Sequence, residues 1–175
     1  MEIYTGRPTE EREPREMKCY ELLEGLNIPF ERVDHAQADT IEECNEISQV
    51  LGVEICKNLF LCNRQKTEFY LVMMPGGKKF ETKVLSKALG VARLSFAPQE
   101  LLPDLLGLTP GSVSLLGLMN DTENKVRLCV DKEVLEKEFI GWHPCKNTSS
   151  LKLATEDVKH KLLPAMHHEM TVVDL

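Results

Sequence analysis

The stretch Gly141-Trp142-His143-Pro144-Cys145-Lys146-Asn147-Thr148 places an imidazole, a proline-fixed bend and small polar side chains within eight residues. An imidazole can exchange a proton near neutral pH, bind a metal or hold a ligand by a hydrogen bond. Glycine ahead of it admits unusual backbone angles, and proline fixes the angle that follows. Glu138-Phe139-Ile140 reads as a short strand, so His143 is expected at a strand end, on irregular backbone held by a rigid scaffold. In isolation, a well-made turn would have the same sequence.

Two further places have the composition of a site. Lys57-Asn58 opens an otherwise apolar strand. A lysine there either runs its stem along apolar surface to reach water or stands in a cleft as a fixed positive charge. Thr109-Pro110-Gly111-Ser112-Val113-Ser114 is a Pro-Gly turn leading into an apolar run, where backbone N–H and C=O groups can face a ligand. Familiar catalytic signatures are absent: there is no Gly-x-Ser-x-Gly elbow, no Gly-x4-Gly-Lys phosphate loop and no His-Glu-x-x-His. Gly76-Gly77-Lys78-Lys79 lacks the first glycine of a phosphate loop and reads as a basic turn.

Six cysteines (Cys19, Cys44, Cys56, Cys62, Cys129, Cys145) include no Cys-x-x-Cys pair. Cys145 beside His143 is too tight and isolated for a tetrahedral metal site. Most of the six lie in apolar runs, where cysteine packs as a small hydrophobe, so reduced thiols, no metal and no cofactor are expected. With 175 residues, 42% hydrophobic and 28% charged, the chain suits one soluble domain. No apolar run is long enough to span a bilayer, and the N-terminus lacks the apolar core of a secretory signal. A cytoplasmic location with no membrane partner is therefore expected. The formal charge of −7 argues against generic nucleic-acid binding and against DNA. It is unevenly spread: residues 57–93 carry eight basic and two acidic side chains, a local +6 against −13 elsewhere. Such a stretch can meet a phosphate backbone at one place while the rest repels nonspecific contact, although a solvated lysine surface would read the same.

Elements to position these residues follow from periodicity. Residues 1–13 read as a loose arm and 14–175 as the domain. A helix is expected from Pro14 to about Gly25, with strand at 28–33. Thr40 with Glu43 spells a capping box for a helix ending at Gly52. Apolar strands at 58–62 and 69–74 form a hairpin. Thr82 is the expected cap of a helix ended by Gly90. Strand at 94–96, helix at 98–106, strands at 112–118 and 125–130, strand at 151–154, helix at 155–163 and strand at 170–173 complete a mixed α/β chain without a doubly wound rhythm.

Taken in order, Thr40-Ile41-Glu42-Glu43-Cys44, Lys57-Asn58-Leu59-Phe60-Leu61, Pro110-Gly111-Ser112-Val113-Ser114 with Gly117-Leu118-Met119-Asn120-Asp121, and Gly141-Trp142-His143-Pro144 with Asn147-Thr148 form one constellation. From about residue 15 onward the chain resembles the free-standing prolyl-tRNA editing proteins of the YbaK superfamily. The resemblance implies an α+β YbaK-like domain with a mixed, partly barrel-like sheet flanked by helices. It implies hydrolysis of an amino acid, alanine first, wrongly esterified to the acceptor end of proline tRNA, with prolyl-tRNA synthetase as a further partner. Lys57, Gly111 and His143 match the family's catalytic positions. Ile41 and Cys44, one helical turn apart, match the walls of the amino-acid pocket. Asn58, Ser112, Ser114, Gly141 and Asn147 fall in the same motifs and are expected to bind substrate. Leu115 stands where the family's glycine loop has proline, and Pro110 supplies a constraint just ahead of it.

The implied chemistry agrees with the missing triad. An aminoacyl ester is already activated, so positioning water and stabilising the oxyanion can suffice. In the family the ribose 2′-hydroxyl is thought to assist the water. Lys57 would then be a positioning charge, since an ordinary lysine is protonated at pH 7. Trp142 could wall the pocket, stack on the terminal adenine or belong to the core. The competing class is a noncatalytic module of the same fold that senses aminoacyl-tRNA or an amino acid.

Overall fold

Pro14 sits in the first turn of helix α1 (Pro14–Gly25), where its missing N–H costs nothing, and Met17, Cys19, Tyr20 and Leu23 form the buried side. The computed structural model describes residues 1–38 and 40–175. Helix α2 (Ile41–Leu51) carries the capping box that its spacing predicts. Thr40 Oγ1 accepts from the Glu43 N–H at 3.1 Å, and Glu43 Oε2 accepts from the Thr40 N–H at 3.0 Å. Gly52 ends it with φ 72°, a left-handed angle that favours glycine. Helix α3 (Thr82–Leu89) starts at a Glu81 cap with no side-chain bond, so the cap expected of Thr82 falls one residue earlier. The helix expected at 98–106 divides into a 3-10 turn, Gln99–Leu101, and α4 (Leu102–Leu106), because Pro103 has no N–H to continue the ladder. The helix expected at 155–163 runs to Ala165 and widens to a π turn over Val158–Leu162.

Nine strands are present among the described residues: β1 (Ile3–Thr5), β2 (Glu31–Asp34), β3 (Cys56–Cys62), β4 (Phe69–Pro75), β5 (Ser95–Phe96), β6 (Val126–Asp131), β7 (Phe139–Trp142), β8 (Ser149–Ala154) and β9 (Met170–Val173). They form a four-stranded antiparallel sheet of order β1-β2-β8-β7 and a five-stranded mixed sheet of order β5-β3-β4-β6-β9. The hairpin β3–β4 pairs antiparallel with Lys57 opposite Met74, whereas β4–β6 and β6–β9 are parallel. Tyr70 to Pro75 are all buried, and such a continuous apolar run suits a central strand covered on both faces. Most of the core lies in one cluster shared by both sheets and α1; a second, smaller cluster around Leu61, Val72, Leu85 and Leu94 lies under α3.

Three expectations need correction. The sheet is not partly barrel-like: two open sheets meet at one isolated parallel bridge, Ile55 opposite Gly141. Residues 112–118 are not a strand. Leu115, Leu116, Gly117 and Leu118 are buried on every side and wind into a 3-10 helix (Leu115–Asn120) capped by Ser114, whose Oγ accepts from the Leu116 N–H at 3.2 Å. The first thirteen residues are also tied down, since β1 pairs with β2 and Arg12 anchors a polar cluster. Arg12 donates to Asp34 at 2.9 and 3.0 Å, to Glu16 at 2.9 Å and to Ser149 Oγ at 3.0 Å. Ser149 Oγ donates to Asp34 at 2.7 Å, Arg32 also bonds Asp34, and the Tyr20 hydroxyl closes on Glu16 at 2.5 Å. This cluster clamps the end of β2 to the start of β8.

Glycines make the junction of the sheets possible. A Cβ on Gly141 would lie 2.8 Å from Val53 Cγ1, 2.9 Å from Ile55 Cδ1 and 3.2 Å from the Leu151 carbonyl. A Cβ on Gly76 would lie 2.2 Å from the Ile55 carbonyl oxygen. Gly141→Ala is expected to destabilise by about 1–3 kcal/mol, read as a lowered midpoint in urea unfolding, because the added methyl overpacks a closed contact. Asp34 supplies an acid-range effect. Burial raises its pKa, but hydrogen bonds from Arg12, Arg32 and Ser149 outweigh it and hold the carboxyl below the usual carboxylate range. Its contribution is present above the unfolded pKa of about 3.9 and lost as pH falls through the lower folded value. Asp34→Asn should lower stability at pH 7 by about 1.5–3 kcal/mol and reduce its acid dependence in thermal melts from pH 7 to 2.

Candidate active site

A cavity of about 650 Å³ opens beside the Ile55–Gly141 contact. Lys57, Asn58, Gly111 and His143 line it together with Cys44 and the glycines Gly76 and Gly77. An adjoining hollow of about 240 Å³ shares Cys44, Gly111 and His143 and adds Asn147 and Ser150. Because the Ile55–Gly141 bridge is parallel, Lys57 and His143 each lie two residues beyond it and flank the same opening.

His143 leaves the end of β7 and begins the loop that returns as β8. Its Nδ1 lies 2.8 Å from the Ser149 carbonyl oxygen, an acceptor only, so Nδ1 carries the proton and donates. Nε2 then keeps its lone pair and has no partner among the described residues. Burial, followed by the nearby His35, pushes the His143 pKa below the ordinary imidazole value, although the Ser149 bond opposes this. The ring is thus neutral at pH 7, with an acceptor left for a ligand. The loop is held from two sides. Ser114 Oγ donates to the His143 carbonyl at 2.6 Å, and the buried Cys145 thiol contacts Cys19 of α1 at 3.4 Å.

Lys57 Nζ donates to the Lys78 carbonyl, and it forms no ion pair among the described residues. Its charge therefore stands at the cavity with no carboxylate within ion-pair distance among the described residues. Asn58 is half-buried, and its Oδ1 is buried with no hydrogen-bond partner among the described residues. Gly111 has φ 84°, and the Ser112 N–H bonds the Thr109 carbonyl at 3.1 Å, so Thr109–Ser112 is a type II turn with proline and glycine in the places it requires. Leu115, where a proline was expected, is fully buried directly after the Ser114 cap. Packing and that cap restrain the backbone there.

The remaining expected residues divide. Cys44 is exposed at the cavity, and Asn147 reaches the adjoining hollow. Ser112, Ser114 and Gly141 are not among the lining residues: Ser112 is buried under the turn, Ser114 braces His143 from behind and Gly141 is a packing glycine. The Ile41 side chain lies outside the described residues. Trp142 is fully buried in the core with its Nε1 unpartnered, so it neither walls the cavity nor reaches a ligand. Sequence reasoning missed His35 and Ser150, which lie behind His143, and the lining role of Gly76 and Gly77. The Gly-Gly pair was a legible signal; His35 and Ser150 had none, being joined only by the β2–β8 pairing. The six thiols are free, and no group of three or more potential metal ligands occurs among the described residues. No helix among these is long and apolar enough to cross a membrane.

Comparisons with known proteins bear on this site. The chain is 31% identical over 153 residues to the prolyl-tRNA editing protein ProX of Acetoanaerobium sticklandii, covering 87% of this chain and 93% of that one. It is 31% identical over 150 residues to prolyl-tRNA synthetase associated domain-containing protein 1 of Danio rerio, covering 84% and 80%. Its fold matches the crystal structure of a "putative trans-editing enzyme for prolyl tRNA synthetase", with a TM-score of 0.68 at 16% identity over 94% of this chain and 99% of that one. The aminoacyl-tRNA editing domain family matches residues 35–160, a span that begins at His35 and includes Cys44, Lys57, Gly111 and His143. The resemblance drawn from the motifs is therefore borne out, and the chain belongs to the aminoacyl-tRNA editing family.

Proposed function

We propose that the protein is a trans-editing deacylase that hydrolyses the ester of alanyl-tRNA(Pro) in the cytoplasm, with prolyl-tRNA synthetase supplying the mischarged tRNA. The observation that carries this reading is the pairing, across one cavity, of an uncompensated Lys57 cation with a neutral His143 acceptor. Water adds to the ester carbonyl, the bond to the ribose oxygen breaks, and free amino acid and the tRNA hydroxyl result. Lys57 holds the anionic acceptor end and offsets charge developing on the carbonyl oxygen. His143 Nε2 accepts a hydrogen bond from the ribose hydroxyl or the attacking water, and the 2′-hydroxyl assists that water. The unpartnered Asn58 Oδ1 can accept from the substrate's ammonium group. The Gly111 turn brings backbone close to the ester without a side chain in the way. Cys44, Ile55 and Val113 give the cavity a small apolar side suited to a methyl group. One methylene is worth only about 1–3 kcal/mol in such a pocket, which is why a second sieve after the synthetase is useful.

A route for the rest of the tRNA leads away from the cavity. Lys79, Lys83 and Lys87 recur every four residues along α3 and its approach, all exposed and none in an ion pair among the described residues. Like charges four apart on a helix cost a few tenths of a kcal/mol, and no ion pair with a described residue offsets this. The stripe begins just after Gly76 and Gly77, which line the cavity, and the Lys78 carbonyl is the acceptor for Lys57. An RNA phosphate backbone continuing from the cavity would meet this face.

The deciding measurement is ester loss from alanyl-, cysteinyl- and prolyl-tRNA. Alanyl-tRNA(Pro) should be hydrolysed and prolyl-tRNA spared; absence of turnover on all three would leave the noncatalytic module in its place. Lys57→Ala should lower kcat/KM by about 100-fold or more while the melting temperature holds. Replacing Lys83 and Lys87 together by alanine should weaken tRNA binding and reduce the slope of log affinity against log salt by about 1 per lysine, with hydrolysis of a short 3′-aminoacyl-adenosine ester unaffected.

A further inference from the structure

Behind His143 lies a second histidine that the chemistry above does not use. His35 follows β2, and its ring centre is 5.9 Å from that of His143. His35 Nδ1 lies 2.8 Å from the Ala36 carbonyl oxygen, and its Nε2 lies 2.9 Å from Ser150 Oγ. Ser150 Oγ in turn lies 3.3 Å from His143 Nδ1. Ser150 is fully buried on β8, one residue after the carbonyl that His143 bonds.

Carbonyl oxygens only accept, so each Nδ1 carries a proton. With His35 neutral, its Nε2 must accept, and the Ser150 hydroxyl donates to it. The hydroxyl's lone pairs then face His143 Nδ1–H, which is shared between Ser149 and Ser150. Every hydrogen in the series is thereby assigned: His143 Nδ1–H to Ser150 Oγ, and Ser150 Oγ–H to His35 Nε2. The alternative His143 tautomer, protonated on Nε2, would leave a bare Nδ1 facing the Ser149 carbonyl. Ser150 could donate to that nitrogen only by releasing His35.

We propose that His35, acting through Ser150, is a positioning residue for the editing reaction: the pair holds the His143 ring against its backbone acceptor at Ser149, with Nε2 presented to the ester. The proposal rests on the editing reading of the cavity. Around His143, the other charged or titratable groups among the described residues are Lys57, Glu54 and Cys44 on the cavity wall, Cys145 in its own loop, and the Arg12–Arg32–Asp34 cluster beyond β8. Only His35 reaches its ring nitrogen through one hydroxyl. A proton added to Nε2 would make a buried cation beside a second imidazole, and burial and the His35 charge both oppose it.

The test uses the full chain labelled with ¹⁵N at histidine. Long-range ¹H–¹⁵N spectra report the His143 tautomer and its titration from pH 5 to 8, and kcat and KM for alanyl-tRNA(Pro) are measured over the same range. Wild-type protein should show the Nδ1–H tautomer alone. In Ser150→Ala the Ser149 carbonyl still selects Nδ1–H, but the ring loses its second restraint, so the His143 Nδ1–H signal should broaden and kcat fall about tenfold with KM unchanged, both recovering in Ser150→Thr. In His35→Gln, which keeps a side-chain partner for Ser150 but no charge, His143 should titrate at higher pH and the acid limb of kcat should move up with it. An unchanged His143 Nδ1–H signal in Ser150→Ala, or an unchanged His143 titration in His35→Gln, overturns the proposal whatever happens to the rate. If no variant and no wild-type sample hydrolyses any ester, the editing reading fails, while the spectra still decide whether His35 governs His143.

Discussion

Everything at this site depends on three stretches of backbone meeting at Ile55. Gly141 approaches its side chain from β7, and Gly76 lies against its carbonyl from the turn after β4, each at a separation that leaves no room for a Cβ. The contact joins two sheets that otherwise share no ladder. Since the chain runs the same way on both sides of the bridge, the residues two beyond it on each side reach one cavity. Lys57 and His143 line the same cavity for this reason. A protein interior at close-packed density does not deform smoothly, so the contact fixes their separation.

Around that junction the electrostatics are divided. The polar cluster of Arg12, Asp34, Glu16 and Ser149 is satisfied internally and serves to clamp β2 to β8. At the site, among the described residues, Lys57 has no ion-pair partner, one His143 nitrogen keeps a free lone pair and Asn58 Oδ1 has no donor. Buried polar groups are ordinarily paired, and unmet groups on residues that line one cavity are what supports reading it as a ligand site. The lysines of α3 repeat the pattern on the surface of an acidic chain.

How much could be read without coordinates varied with the range of the interaction. The capping box at Thr40–Glu43, the β3–β4 hairpin, the ends of α2 and α3 at glycine and the strand before His143 depend on neighbours within a few residues, and all appear as the sequence predicts. Residues 112–118 misled because apolar alternation implies a half-buried strand, and this segment is buried all round. The N-terminal arm misled because its ordering depends on Arg12 meeting Asp34 and Ser149, the latter 137 residues away. Gly141, Ser112 and Ser114 belonged to the right motifs but to the layer that supports the cavity. A motif records which positions are constrained and leaves open whether substrate or packing constrains them.

The amino-acid sequence by itself determined the family, the presence of Lys57, Gly111 and His143 as a set, and the Pro-Gly turn at Pro110 and Gly111, since these are matters of residue identity and local backbone angle. Only the tertiary structure decided which of the set share a cavity, which nitrogen of His143 is left for a ligand and that His35 and Ser150 lie behind it. The shared cavity and the His35–Ser150 contact join segments about 90 to 115 residues apart through the packing of the two sheets at Ile55, and the choice of His143 nitrogen depends on how its loop folds back to Ser149.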